Sequence, residues 1–178
     1  HIRIISEGPN KGRIEATLLW RKFHPPLPTN VGLAKRWLKA TVSKLRKLGL
    51  YDEYHAEIIR QVDSSTVECM GPLSSSNACQ GHSFLPHFPV VRENHSTTRL
   101  RIVFAANAGK TSLYDCLYPG PNLLSDLLTL LHLFRTGKIG LLGDLKKAFN
   151  QIVLTTSDSK CLQFLWYSPE GDILVYRQ

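Results

Sequence analysis

The stretch GLLGDLKKAFNQIVL, residues 140–154, does most to decide the fold of this chain. An apolar run over residues 138–143 predicts a β-strand that ends on the carboxylate of Asp144. Two-metal nucleotidyl transfer requires hard oxygen ligands on a rigid element, and a strand end supplies such a position. Asp144 is therefore a candidate metal ligand and catalytic residue. The alternative is an aspartate that only caps the turn after the strand.

A second informative region lies upstream, where two β-type runs, residues 88–93 and 98–105, flank the turn sequence NHS at residues 94–96. This pattern predicts a β-hairpin. Strand alternation places Arg99 and Arg101 on one face, about 7 Å apart, with the intervening apolar residues on the other. Two such guanidinium groups can bind triphosphate oxygens through charge-assisted hydrogen bonds. The alternative is a pair of solvated arginines on an exposed strand.

Residues 33–48 carry apolar side chains at helical spacing on one side and basic side chains on the other, which predicts an amphipathic helix. Thr29 and Asn30 are suitable amino-terminal caps, and Gly49 is suited to end the helix. A second helical pattern covers residues 52–62. The candidates for contact with a nucleic-acid backbone are Lys35, Lys39 and Arg46. A solvated polar face is the alternative.

The remaining segments complete the prediction of an α+β fold. Residues 1–29 are predicted to be irregular because of a proline cluster, and residues 69–83 read as a loop. Leucines over residues 124–134 predict a helix with a buried stripe. Residues 151–154 and 161–166 predict a hairpin. The order helix, helix, hairpin, helix, strand, hairpin is typical of the α+β class.

The composition favours a polyanionic partner. The chain has 22 Lys and Arg against 14 Asp and Glu, a formal net charge of +8. Its four cysteines follow no short repeated spacing, which predicts free thiols in an intracellular chain that is not secreted. The apolar stretches are too short to span a bilayer, so no membrane partner is expected.

Two other sites are disfavoured. The sequence AGKT at residues 108–111 ends like a phosphate-binding loop, but the upstream glycine that such a loop needs falls on Phe104. The spacing does not favour a zinc site, because its first two ligands lie ten positions apart. Its residues would be Cys69, Cys79, His82 and His87.

The motif DLKKAFNQI at residues 144–152 belongs to an ordered set that extends through most of the chain. The other members are FLPHFPVV (84–91), TTRLRIVFAA (97–106), SLYDCLYPGPNLL (112–124), LFRT (133–136) and FLW (164–166). In order and spacing this set resembles the reverse transcriptases of Pao/BEL-type LTR retrotransposons. The resemblance covers nearly all of the chain after residue 25.

The resemblance implies a partial right-hand polymerase fold. Residues 1–29 would be an irregular N-terminal segment, residues 30–137 a fingers-like region, and residues 138–178 a truncated palm segment with the first catalytic motif. The implied function is that of a fragment of an RNA-directed DNA polymerase. In the complete enzyme it would act on dNTPs and an RNA/DNA primer-template, with Mg²⁺ as cofactor and Mn²⁺ as the alternative. The remainder of the palm, the thumb and the RNase H of the polyprotein would be its partners, in the cytoplasm or a virus-like particle.

The resemblance also assigns roles to individual residues. Asp144 would be the first metal-binding aspartate, and the main-chain carbonyl of Leu145 would be a further metal ligand. Phe149 would be the steric gate that excludes a 2′-hydroxyl from the nucleotide site. Arg101 would be the fingers arginine that binds the triphosphate, with Arg99 beside it.

Two departures from the family pattern favour a second hypothesis. Ala105 stands where the family has an acidic residue, and the 178 residues contain no Asp-Asp pair. One carboxylate does not hold two Mg²⁺ ions, so polymerisation is not expected from these residues alone. The alternative function is therefore an inactive remnant or co-opted fragment that at most binds nucleic acid.

Overall fold

A computed structural model describes residues 2–8, 10–74, 83–91, 99–144 and 148–178 of the chain. The described residues form a mixed α+β structure, as the sequence predicts. The helices are α1 (Val31–Lys47), α2 (Tyr51–Asp63), α3 (Leu113–Cys116), α4 (Leu127–Thr136) and α5 (Thr156–Ser159), with 3₁₀ turns at Ala148–Gln151 and Lys160–Leu162. The strands are β1 (Ile2–Ile4), β2 (Ile14–Ala16), β3 (Glu68–Pro72), β4 (His87–Val91), β5 (Leu100–Phe104), β6 (Ile152–Leu154), β7 (Gln163–Tyr167) and β8 (Ile173–Arg177).

Helices α1 and α2 confirm the two amphipathic patterns. In α1 the buried side chains recur every three or four residues, from Ala34 through Leu38 to Leu45, so they form one stripe against the sheets. Gly49 follows the helix with a φ of 65°, which a side chain would disfavour. The chain then turns directly into α2, whose acidic first turn suits the helix dipole.

The strands form three small sheets, with orders β1-β2-β6, β3-β8-β7 and β4-β5. Strands β4 and β5 of the predicted hairpin pair antiparallel, as expected, and the turn predicted at residues 94–96 lies outside the described residues. In the second sheet, β8 lies between β3 and β7 and is antiparallel to both. In the first, β2 and β6 are parallel, so residues 14–16 lie beside residues 152–154.

The core lies where α1 and α2 cover β4, β5 and β7. Its largest fully buried side chains include Tyr54, Phe84, Phe164 and Trp166. The tyrosine and tryptophan rings are 5.1 Å apart, and His87 lies 5.7 Å from the tryptophan ring. Aromatic pairs of this kind stabilise the core beyond the contribution of the apolar area that they bury.

Several predictions for the strands are wrong. Residues 1–29 hold β1 and β2, and β3 lies in the segment predicted as loop. Residues 151–154 and 161–166 do not pair with each other, because β6 pairs with β2 and β7 pairs with β8. The polar stretch between them is helix α5 rather than a hairpin turn.

The predictions for residues 138–143 and for the buried stripe of α4 are also wrong. The described backbone forms no strand at 138–143, and every residue from 118 to 144 is exposed. Helix α4 exists, but none of its residues is buried. The amphipathic pattern therefore predicted the helix correctly but not the exposure of its apolar side chains. The ring of Phe134 lies over Gly140, where a Cβ atom would collide with it.

Strand pairing crosses the expected segment boundaries at residues 29 and 137. Sheet β1-β2-β6 joins the first segment to the last, and β3-β8-β7 joins the middle segment to the last. Among the described helices, none is both long and apolar enough to cross a membrane.

Candidate functional site

The β4-β5 hairpin carries the predicted pair of arginines. Its register sets Val90 opposite Arg101 and His87 opposite Phe104. Leu100 is buried, whereas Arg101 is exposed. The predicted alternation is confirmed within β5, where Leu100, Ile102 and Phe104 pack against the core and Arg101 is exposed. Arg99 lies directly before the strand, so its side is not set by strand pairing.

His87 anchors the hairpin to the body of the protein. Its Nε2 lies 2.8 Å from the carbonyl oxygen of Leu165, and its Nδ1 lies 2.6 Å from the hydroxyl of Tyr54. A carbonyl only accepts hydrogen bonds, so Nε2 carries the proton and Nδ1 accepts from the tyrosine. The hydroxyl of Thr41 also donates to the carbonyl oxygen of His87, at 2.8 Å. One residue thus ties β4 to α1, α2 and β7.

Burial keeps His87 neutral. The residue is 3% exposed, and desolvation lowers the pKa of its imidazole from 6.5 to about 4, partly offset by the hydrogen bond to Leu165. Burial likewise raises the pKa of Tyr54. Both groups therefore stay uncharged at neutral pH, which their hydrogen bonds require.

Arg99 and Arg101 are both exposed. Among the described residues, neither takes part in a hydrogen bond, an ion pair or a cation–π contact. Two guanidinium groups that have no partner among the described residues, one in β5 and one directly before it, form a candidate site for an anionic ligand.

Asp144 and Phe149 lie in a different part of the chain. Asp144 is exposed at the end of the irregular segment, and Phe149 is 91% exposed in the 3₁₀ turn before β6. Leu145 lies outside the described residues. No hydrogen bond, ion pair or ring contact of the described part of the chain joins Asp144 or Phe149 to the arginines of the hairpin.

The donor set at Asp144 is incomplete for a pair of magnesium ions. Within the described ranges, no three histidine, cysteine, aspartate or glutamate side chains lie close enough to hold a metal. Asp144 offers one hard oxygen ligand, and two-metal nucleotidyl transfer needs several. The described residues therefore do not make a complete site for the two ions.

The three basic residues proposed for backbone contact are exposed, but they do not face the hairpin. At about 100° per residue, Lys35, Lys39 and Arg46 share one stripe of α1. The side of α1 that meets β4 carries Thr41 and Trp37, which is roughly 140–180° away from Arg46. A shared cleft between this stripe and the hairpin does not form.

The disfavoured zinc site gains no support. Both ring nitrogens of His87 are used in hydrogen bonds, so this residue has no lone pair left for a metal. Cys69 is an exposed free thiol. Cys79 and His82 lie outside the described residues.

A cleft of about 520 Å³ lies between the first sheet and the α2–β3 turn. Arg13, Glu68, Cys69 and Arg177 are among its lining residues. None of the residues predicted to bind metal, nucleotide or a nucleic-acid backbone lines it.

The capping role predicted for the side chain of Asn30 is wrong, and the anchoring role of Asp158 was not predicted. Asn30 precedes α1 but makes no capping hydrogen bond; its amide pairs with the backbone of Phe84, accepting from N–H at 2.7 Å and donating to C=O at 2.8 Å. Asp158 is buried and accepts from the main-chain N–H of Leu18 and the indole of Trp20. In the sequence such residues are recognisable only as polar side chains near the end of a helix, and nothing in the sequence indicates their distant partners.

Comparisons with protein-family models, with curated proteins and with solved structures find no match to this chain.

Proposed function

We propose that this chain is the fingers and first palm part of a Pao/BEL-type reverse transcriptase. The observation that carries the proposal is the ordered set of motifs from residue 84 to residue 166. One member of the set, residues 97–106, contains strand β5 with its solvent-facing Arg101. That geometry is compatible with the role that the resemblance gives to this arginine.

In the proposed function the hairpin binds the triphosphate of an incoming dNTP. Arg101 contributes a permanent charge and a planar set of N–H donors, which match phosphate oxygens. Arg99 adds a second cation directly before the strand. His87 holds the hairpin through bonds to three neighbouring elements, so the arginines are presented from a rigid base.

Asp144 would be one metal ligand of the complete enzyme, together with the carbonyl of Leu145. The ions would neutralise charge on the transferred phosphoryl group. Phe149 would lie under the deoxyribose and exclude a 2′-hydroxyl by steric conflict. Its 91% exposure leaves the ring available to a ligand or to another part of the enzyme.

A chimaeric enzyme tests this function. Residues 1–178 replace the corresponding segment of an active Pao/BEL reverse transcriptase, so that β1 and β2 are kept, and primer extension is measured with Mg²⁺ and dNTPs. We expect extension, its loss on Asp144→Asn, and incorporation of ribonucleotides on Phe149→Ala. Asp63→Asn is the matched control, because Asp63 is an exposed aspartate at the end of α2. Equal activity of the Asp144 and Asp63 variants would refute the assignment.

The alternative function, an inactive remnant, rests on Ala105. This residue is 8% exposed at the base of the hairpin, where its N–H donates to the carbonyl of Pro86 at 2.7 Å. A methyl group there leaves the hairpin without the acidic side chain of the family. A chimaera that folds and extends primers only after Ala105→Asp would favour the remnant.

A further inference from the structure

Helix α1 has a strongly basic outer face. Its exposed cations are Lys35, Arg36, Lys39, Lys44, Arg46 and Lys47, and the helix contains no acidic residue. In the described part of the chain, the ion pairs of Glu15, Glu57 and Glu68 are made with arginines outside α1. Among the described residues, no cation of this face forms an ion pair with a carboxylate.

Five of the six cations form two rows along the helix, and Lys44 lies outside both rows, about 20° around the axis from Trp37. Lys35, Lys39 and Arg46 lie within about 40° of one another around the axis, and they span about 16 Å along it. Arg36 and Lys47 form the second row, opposite the buried stripe. The guanidinium group of Arg46 lies over the ring of Tyr51, 5.5 Å from its centroid, which fixes one end of the first row.

The outer face is separate from the hairpin. Thr41 and Trp37 occupy the opposite flank of α1, where they contact His87 and Phe88 of β4. A polyanion bound along the two rows would therefore not approach Arg101. This surface is distinct from the one used in the proposed function and does not depend on it.

We propose that the outer face of α1 binds the phosphate backbone of duplex nucleic acid. Successive phosphates of one strand advance about 3.4 Å along a duplex, so a row of about 16 Å spans about five of them. The face has no exposed aromatic side chain, whereas single-strand sites combine cations with stacking platforms. It also lacks the large apolar residues that hold a basic helix at a lipid surface.

The contacts are to phosphates, and the binding is independent of sequence. Besides the cations, the exposed positions of α1 are Gly32, Ala40 and Ser43, which offer little to a base edge. The affinity therefore depends on counterion release, and log affinity falls linearly with log salt. Three phosphate contacts predict a loss of about 40-fold between 50 and 200 mM salt.

Fluorescence anisotropy with a labelled 20-base-pair RNA–DNA hybrid tests the proposal on the full chain. The variant Lys35→Gln, Lys39→Gln, Arg46→Gln removes the first row. We expect it to flatten the slope of log affinity against log salt by about 2–3 and to weaken binding at least 10-fold near 100 mM salt. The control is Lys11→Gln, Lys22→Gln, Lys160→Gln, which removes three exposed lysines elsewhere and changes the net charge equally.

Three results would overturn the proposal. Equal weakening by the two variants would mean that only the net charge matters. Tighter binding of a single-stranded 20-mer than of the hybrid would point to a stacking site elsewhere. Binding of phosphatidylserine vesicles, with no binding of the hybrid, would assign the face to a membrane surface. Circular dichroism of both variants checks that the substitutions leave the fold intact.

Discussion

Lowering the pH from about 7.5 to about 5 is expected to destabilise the folded chain through His87. In the unfolded chain this imidazole takes up a proton near its ordinary pKa of 6.5, whereas burial holds the pKa of the folded state at about 4. Between these values the unfolded state binds more protons, so stability falls as the pH falls. Above pH 7 the residue is neutral in both states and the effect is absent.

The size of the effect follows from the two pKa values of His87. The folded-state and unfolded-state pKa values differ by about 2.5, which corresponds to about 3 kcal/mol in the free energy of unfolding. About 2 kcal/mol of this is lost when the pH falls to 5. This is a large share of the stability of a typical domain. The hydrogen bond from Tyr54 to Nδ1 is the contact that protonation breaks.

Urea unfolding monitored by tryptophan fluorescence measures the effect, since Trp166 is fully buried. His87→Gln keeps a donor and an acceptor but does not titrate, so we expect the free energy of unfolding to change little between pH 7.5 and 5. His132→Gln is the control, because His132 is exposed on α4. If the His87→Gln variant lost as much stability on acidification as the wild-type chain, the reasoning would be refuted.

Two further predictions concern anchoring and the exposed helix. Asn30→Ala is expected to lower the free energy of unfolding in urea by about 2 kcal/mol, because it leaves the backbone N–H and C=O of Phe84 without their partner. Asn107→Ala, at an exposed loop position, is the control and is expected to cost under about 0.5 kcal/mol. Replacing Leu128 and Leu131 by glutamine is expected to leave the free energy of unfolding within about 0.5 kcal/mol and to reduce self-association in sedimentation velocity. A loss of several kcal/mol in the leucine variant would show that α4 is buried.

The elements that the sequence predicted correctly depend on local periodicity. The two helices and the β4-β5 hairpin each contain several repeats of their pattern, and their apolar faces meet one another. Period-two alternation likewise identified Arg101 as a solvent-facing residue. The partners of short strands were not predictable. For example, the three residues of β6 are too few to show a pattern that would indicate pairing with β2.

The candidate site was predictable only in parts. Side-chain direction on the hairpin follows from alternation, but the position of Asp144 relative to the arginines depends on how a separate segment packs. The role of His87 was hidden for another reason. Its tautomer depends on Tyr54 and Leu165, which lie 33 and 78 residues away in the sequence.

The central position of β8 in its sheet constrains the order in which the chain folds during synthesis. Glu68 of β3 and Arg177 of β8 are 109 residues apart. At about 5–20 residues per second, a ribosome needs about 5–20 s to make that interval. Throughout this time β3 lacks its strand partner, so the nascent chain depends on α1 and α2 to shield its apolar residues. Slow translation would prolong exposure of this strand, and chaperone demand is expected to rise with it.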